Sequence, residues 1–224
     1  MHTAASQAEL SVDGVVGPKT KHALRTAHIE DSQEKEARSM LKPAAGATIK
    51  WRLLKGTVPP SLGDKATVAA ELAKAFATWG EAMGGVTFEE TGVKGAEQLT
   101  LLFDDRTPQN TMAFDGPGGA LAAASKPGSL QVAGASASSI TFDSAERWEL
   151  SASGAPAHPQ RGMVSDMYFF KLLPVAIHEI GHLLGLGHSN EPADVMSPYY
   201  SPEKVTLSAN DKKRIAGLLS SVNA

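Results

Sequence analysis

The spacing of hydrophobic positions changes several times along the chain, and each change predicts an element. In TIKWRLL (48–54), Ile49, Trp51 and Leu53 alternate with polar neighbours, the two-residue period of a half-buried strand. Asp64 is a candidate helix cap. After it Val68, Leu72, Ala75, Phe76, Trp79 and Met83 recur at helical spacing, and Gly84-Gly85 predicts the stop. VTFEE (86–90) and QLTLLF (98–103) read as two more strands, and ITF (140–142) as a short one. The Gly-, Ala- and Ser-rich stretch 104–139 predicts turns, and SASGAPAHPQRG (151–162) a surface loop. A second helix has to include VAIHEIGHLLGLG (175–187). Pro174 is tolerated only in its first turn or at a kink. A third helix follows Ser208, with Asp211 as a capping-box-like partner and Ile215, Leu218 and Leu219 as the apolar face.

These elements predict a mixed α/β (α+β) domain over 48–224. Residues 1–47 have a different texture. They are polar, charge-rich at EDSQEKEAR (30–38), and end in the linker-like KPAAGA (42–47). Inside them VDGVVGPKTKHAL (12–24) has a turn-then-helix grammar.

Composition narrows the function. The chain has 224 residues, 42% hydrophobic and 20% charged, with a formal net charge of −3. That suffices for a core and gives no basic face for nucleic acid. No apolar run of about 18 residues is present to span a membrane. With no cysteine, disulfides, thiolate-bound zinc and thiol nucleophiles are excluded. The opening MHTAASQAEL lacks the pattern of a signal peptide, so the expectation is an intracellular chain or one whose leader is already removed.

The chemistry is concentrated in HEIGHLLGLGHS (178–189). His178 and His182, four apart, share one helix face and can grip one ion. Gly185 can adopt the left-handed conformation that ends the helix and turns the chain back, delivering His188 as a third ligand. Three neutral imidazoles leave a fourth position open, the pattern of a catalytic zinc site, where the metal lowers the pKa of a bound water to about 7. Glu179 stands beside the first ligand, placed to act as general base and then to return the proton to the leaving amine. The full HExxHxxGxxH pattern fixes five positions in eleven, far beyond a helix that happens to carry two surface histidines. His2, His22, His28 and His158 lie in polar or proline-containing stretches and read as solvated.

With Ser189 directly after the third histidine, the segment resembles the metzincin clan and, within it, the matrixins. DVMSPYY (194–200) resembles the Met-turn of that family, which implies that Met196 floors the metal. TIKWRLL, the helix ending AFATW, FDGPGGALA (114–122), FDSAERW (142–148) and LSANDKKRIAGLLS (207–220) resemble further family blocks in the right order. The resemblance implies a metzincin fold, a twisted, mostly parallel five-stranded sheet with three helices. It also implies a zinc-dependent metalloendopeptidase acting on protein or peptide substrates, extracellular and monomeric. The pocket beside the zinc would be walled by Pro174 and Val175 on one side and Pro198, Tyr199 and Tyr200 on the other, favouring a hydrophobe after the cut. A structural calcium would be held by Asp115, Asp143 and Glu146 with the carbonyls of Gly116, Gly118 and Ala120, six oxygens suited to a hard cation. The family's second, structural zinc is not expected, because Pro108, Asn110, Ala123 and Thr141 occupy its ligand positions.

Residues 1–47 resemble the end of a peptidoglycan-binding-like or propeptide module, which implies at most weak cell-wall association. The cysteine with which such propeptides block the zinc is absent. Two competing readings, a wall-binding protein with a vestigial site and a non-peptidase zinc hydrolase, are disfavoured by the intact histidines with Glu179 and by the Met-turn.

Overall fold

A computed structural model describes residues 43–44, 46–54, 56–105, 114, 120–125, 138–151 and 169–222. The expectations for residues 1–42, for Pro108, Asn110, Asp115, Gly116 and Gly118, and for nearly all of 151–162 fall outside them.

The alternating strand is observed as β1 (Thr48–Leu53), with Ile49, Trp51 and Leu53 buried. Helix α1 (Lys65–Ala82) starts where Asp64 predicts, its carboxylate accepting from the Thr67 N–H at 2.7 Å and from the Thr67 hydroxyl at 2.8 Å. Strands β2 (Thr87–Glu90), β3 (Leu99–Asp104), β4 (Ala122–Ser125) and β5 (Ser138–Asp143) complete a five-stranded sheet of order β2-β1-β3-β5-β4. All pairings are parallel except β4 with β5, where Ala123 faces Thr141. The central strands read as buried runs, as parallel strands covered on both faces should.

Two features depart from the sequence pattern. The run ITF is the middle of a six-residue buried strand, because Ser138 and Ser139 extend it in register with Leu99 and Thr100 of β3. The stretch 104–139 contains β4, whose AAAS sequence carries little β preference and is a strand only through pairing with β5. A parallel pair, β6 (Arg147–Glu149) with β7 (Phe169–Lys171), was also not legible in periodicity.

Helix α2 (Leu172–Leu183) packs against α1 beneath the sheet, where the Trp79 indole N–H donates to the Ile177 carbonyl at 2.8 Å. Phe76 stacks between Trp51 and Phe88, with ring centroids 5.0 and 4.9 Å away. Pro174 lies in the first turn of α2, as its missing N–H requires. Helix α3 (Ala209–Val222) closes the domain, with Ile215 in the core.

Candidate metal centre

Helix α2 carries His178 and His182 on one buried face and ends at Leu183, directly after the second of them. Gly185, at φ 98°, takes the left-handed conformation. The Gly185 N–H donates to the His182 carbonyl and the Leu186 N–H to the Gly181 carbonyl, both at 2.9 Å. This paired closure reverses the chain and brings His188 back against the helix. One ring nitrogen from each of His178, His182 and His188 then lies within 4.8 Å of the others.

The rings are aimed by backbone carbonyls. His178 Nδ1 lies 2.7 Å from the Val195 carbonyl and His182 Nδ1 2.8 Å from the Leu186 carbonyl. A carbonyl only accepts, so each Nδ1 carries the proton and each Nε2 presents its lone pair inward. The two Nε2 atoms are 3.0 Å apart. Two facing lone pairs at that distance repel unless a cation lies between them, and the buried rings resist protonation. Burial and the neighbouring imidazoles lower His178 well below the usual range and hold His182 at about 4. Neutral, converging imidazoles fit a borderline-soft divalent metal such as zinc.

Glu179 is buried, and neither carboxylate oxygen has a hydrogen-bond partner among the described residues. Burial pushes its pKa up to about 8, and the Ala124 backbone of edge strand β4 acts weakly in the opposite direction. Desolvation alone therefore leaves the group protonated at neutral pH. A cation held by the adjacent imidazoles favours the carboxylate, so Glu179 fits a metal as well as the histidines do.

Sequence reasoning missed most of what holds this unit. The Asp211 carboxylate accepts from the Val195 N–H at 2.9 Å, the Met196 N–H at 3.4 Å and the Ser208 N–H at 3.0 Å. It fixes the peptide whose carbonyl aims His178. Asp194 accepts from the Ser189 and Ser208 hydroxyls at 2.5 and 2.6 Å and from the Asn210 amide at 2.6 Å. Burial raises its pKa, but those hydrogen bonds outweigh it and hold the carboxylate below its ordinary range. The Arg214 guanidinium donates to the Gly187 and His188 carbonyls at 2.7 and 3.1 Å. Only Ser208 and Asp211 left a signal, the capping-box spacing; apart from the five-residue Ser189–Asp194 link, the rest are contacts between segments distant in sequence.

Met196 is fully buried, and its side chain lies against Gly181 on α2. A Cβ at Gly181 would stand 2.3 Å from Met196 Sδ and 2.8 Å from the Trp79 ring, which is itself pinned to Ile177. Gly181→Ala is therefore expected to destabilise the protein by about 1–3 kcal/mol through overpacking. Urea unfolding measures it, and an unchanged midpoint would refute the close approach.

A narrow pocket opens beside His178. Of the residues expected to wall it, Pro174, Val175, Tyr199 and Tyr200 do so, and Pro198 does not. Tyr200 is held by its hydroxyl, which accepts from the Lys171 N–H at 2.9 Å, and by edge-on packing against Phe170. Val195, Ser197, Ser201 and Lys204 also line the pocket and were not anticipated. Burial lowers the Lys204 pKa, while the charges of Asp211 and Asp194 act the other way.

Of the expected calcium ligands, Asp143, Glu146 and Ala120 are described, and all three are buried. Asp143 and Glu146 lie at the β5–β6 turn, where Asp143 Oδ1 accepts from the Ala145 N–H at 2.8 Å.

A mostly parallel five-stranded sheet with three helices, and three imidazoles converging from one helix and its reversal, with a buried methionine packed on that helix, define a metzincin-type domain. The matrixin model of the peptidase families matches residues 43–219, and the chain belongs to the matrixins. Human matrix metalloproteinase-25 is 31% identical over 172 residues, covering 74% of this chain and 27% of that protein. Human matrix metalloproteinase-16 is 36% identical over 149 residues, 64% of this chain and 21% of its own length. Metalloendoproteinase 1 of Glycine max is 33% identical over 154 residues, 68% of this chain and 45% of the soybean protein. The chain thus matches about a quarter of the human relatives and less than half of the plant one. Among the described residues no helix is long and apolar enough to cross a membrane.

Proposed function

We propose that this chain is a zinc-dependent endopeptidase in which His178, His182 and His188 hold the metal and Glu179 is the general base. The observation that carries the reading is the pair of inward-facing Nε2 atoms at 3.0 Å beside the buried carboxyl of Glu179. Zinc held there would supply Lewis-acid polarisation of the scissile carbonyl and acidify a water. The protein supplies the rest. The Val195 and Leu186 carbonyls orient the imidazoles, the burial of Glu179 keeps its proton affinity high, and the apolar surroundings exclude bulk water. Glu179 takes a proton from the attacking water and passes it to the leaving amine. Tetrahedral breakdown needs no covalent enzyme intermediate, which suits a chain without cysteine.

The pocket beside His178 receives the side chain that follows the cut, and its walls of Pro174, Val175, Tyr199 and Tyr200 favour a medium or large hydrophobe. Digestion of a peptide library with and without a zinc chelator tests both parts. Cleavage is expected only without chelator, and chiefly before hydrophobic residues. A preference for Lys, Asp or Gly at that position refutes the pocket assignment, and chelator-insensitive cleavage refutes the metal.

Structural calcium on the Asp115, Asp143 and Glu146 set is part of the same proposal, supported by the two buried carboxylates, Asp143 and Glu146, at the β5–β6 turn, oxygen donors of the kind a hard cation takes. So are a monomeric, extracellular enzyme, a domain over 48–224, and residues 1–47 as a propeptide-like or peptidoglycan-binding-like remnant with at most weak wall association.

A further inference from the structure

Lys204 shares the pocket with His178, Pro174, Val175 and Val195. Its Nζ donates to the Tyr199 carbonyl at 2.8 Å, while an ammonium has three N–H donors. Among the described residues no carboxylate oxygen lies within ion-pair distance of it. The carboxylates that act on it from further away are Asp211 and Asp194. Both are already committed, Asp211 to the amides of Val195, Met196 and Ser208, and Asp194 to Ser189, Ser208 and Asn210. A half-buried cation with donors to spare thus lines a narrow, otherwise largely apolar recess.

We propose that Lys204 is a specificity-determining residue that admits a long, unbranched side chain ending in an acceptor oxygen, glutamine or glutamate, beside the hydrophobes expected there. The stem lies along Pro174, Val175 and Val195, and the terminal oxygen accepts a hydrogen bond from Lys204 Nζ. Glutamine is the better of the two. Glutamate gains attraction to the ammonium, but Asp194 and Asp211 offset it, and a full charge loses more hydration on entering the recess. The same ammonium disfavours lysine and arginine by like-charge repulsion. This inference rests on the peptidase reading and on the assignment of this pocket.

The test is a series of otherwise identical peptides with leucine, glutamine, glutamate or lysine after the cut, cleaved by the zinc-loaded full chain and by Lys204→Met. In the wild type kcat/KM for glutamine should exceed that for lysine by about tenfold or more, and Lys204→Met should lower the glutamine-to-leucine ratio by about tenfold, the scale of one hydrogen bond to a charged group. Leucine cleavage by the variant serves as the folding control. Should Lys204→Met prove inactive on every peptide, Lys204→Arg, which keeps the charge and donors, must retain the glutamine-to-leucine ratio. An unchanged ratio in Lys204→Met, a lost ratio in Lys204→Arg, or lysine cleaved as well as glutamine by the wild type overturns the inference while leucine cleavage keeps the peptidase reading. If the wild type cleaves none of the four, the peptidase reading falls first.

Discussion

Glu179→Gln is expected to keep its zinc and to lose about 10²–10⁴-fold in kcat/KM, the usual contribution of a positioned general base. Glu179→Ala should do the same with a small cavity added. The metal should stay because Glu179 is not one of the three converging groups. Glutamine keeps the shape and removes the proton acceptor. The metal-free proteins should show the opposite order in stability. A carboxyl whose folded pKa is raised from 4.5 to about 8 contributes stability below pH 4.5 that is lost as pH rises through that window. At pH 7 this amounts to about 3 kcal/mol against the folded parent, which Glu179→Gln avoids. Metal analysis, peptide kinetics and urea unfolding of parent and variant read the three effects. A variant that cleaves at the parent's rate removes Glu179 from the chemistry.

Chelating the metal should abolish cleavage and lower stability by about 4 kcal/mol relative to protein with zinc at a thousand times its Kd. Re-addition of zinc should restore both, and His182→Ala should respond to neither. Metal analysis of the parent should give one zinc and one calcium per chain, with calcium raising the melting temperature. Two tightly bound zincs, or no effect of calcium, would contradict the ligand assignment. The pH dependence has a definite sign. His178 and His182 are neutral when folded and protonate near 6.5 when unfolded, so the metal-free protein loses stability as pH falls below about 6.5, by about 1.4 kcal/mol per unit for each. Glu179 gains at a similar rate down to 4.5, so the three groups together should lose about one histidine's worth per unit between 6.5 and 4.5. Zinc affinity should fall little between pH 7 and 6 on account of these two ligands, because they carry few protons to displace. A steep loss of zinc already at pH 6.5 would show that the carbonyl-aimed, desolvated rings are not the ligands.

How much of this was legible in the chain varies with the range of the interaction. Period and capping residues disclosed β1, α1, α2 and α3, because helix and strand periodicity and caps such as Asp64 are local. The HExxHxxGxxH spacing contained the histidines, the glutamate and the glycine reversal within eleven residues, so one helical turn and one left-handed residue suffice to assemble them. Strand β4 was hidden because alanine has no local reason to be extended; pairing with β5 decides it. The Asp194, Asp211 and Arg214 contacts were hidden for the same cause. Asp211 and Arg214 reach from α3 to the Met-turn and the reversal, and Asp194 ties Ser189 to Ser208 and Asn210 at the start of α3, so the capping-box spacing is all that the chain records of them. Lys204 reads in sequence as an ordinary surface charge, and only the folding of 195–204 against the start of α2 turns it toward the pocket. The sequence by itself determined the reacting groups, whose chemistry is intrinsic to the residue types and their local spacing. Tertiary structure decided what aims them and what the pocket will accept, because orientation, desolvation and a neighbouring charge come from segments that meet only when the chain is folded.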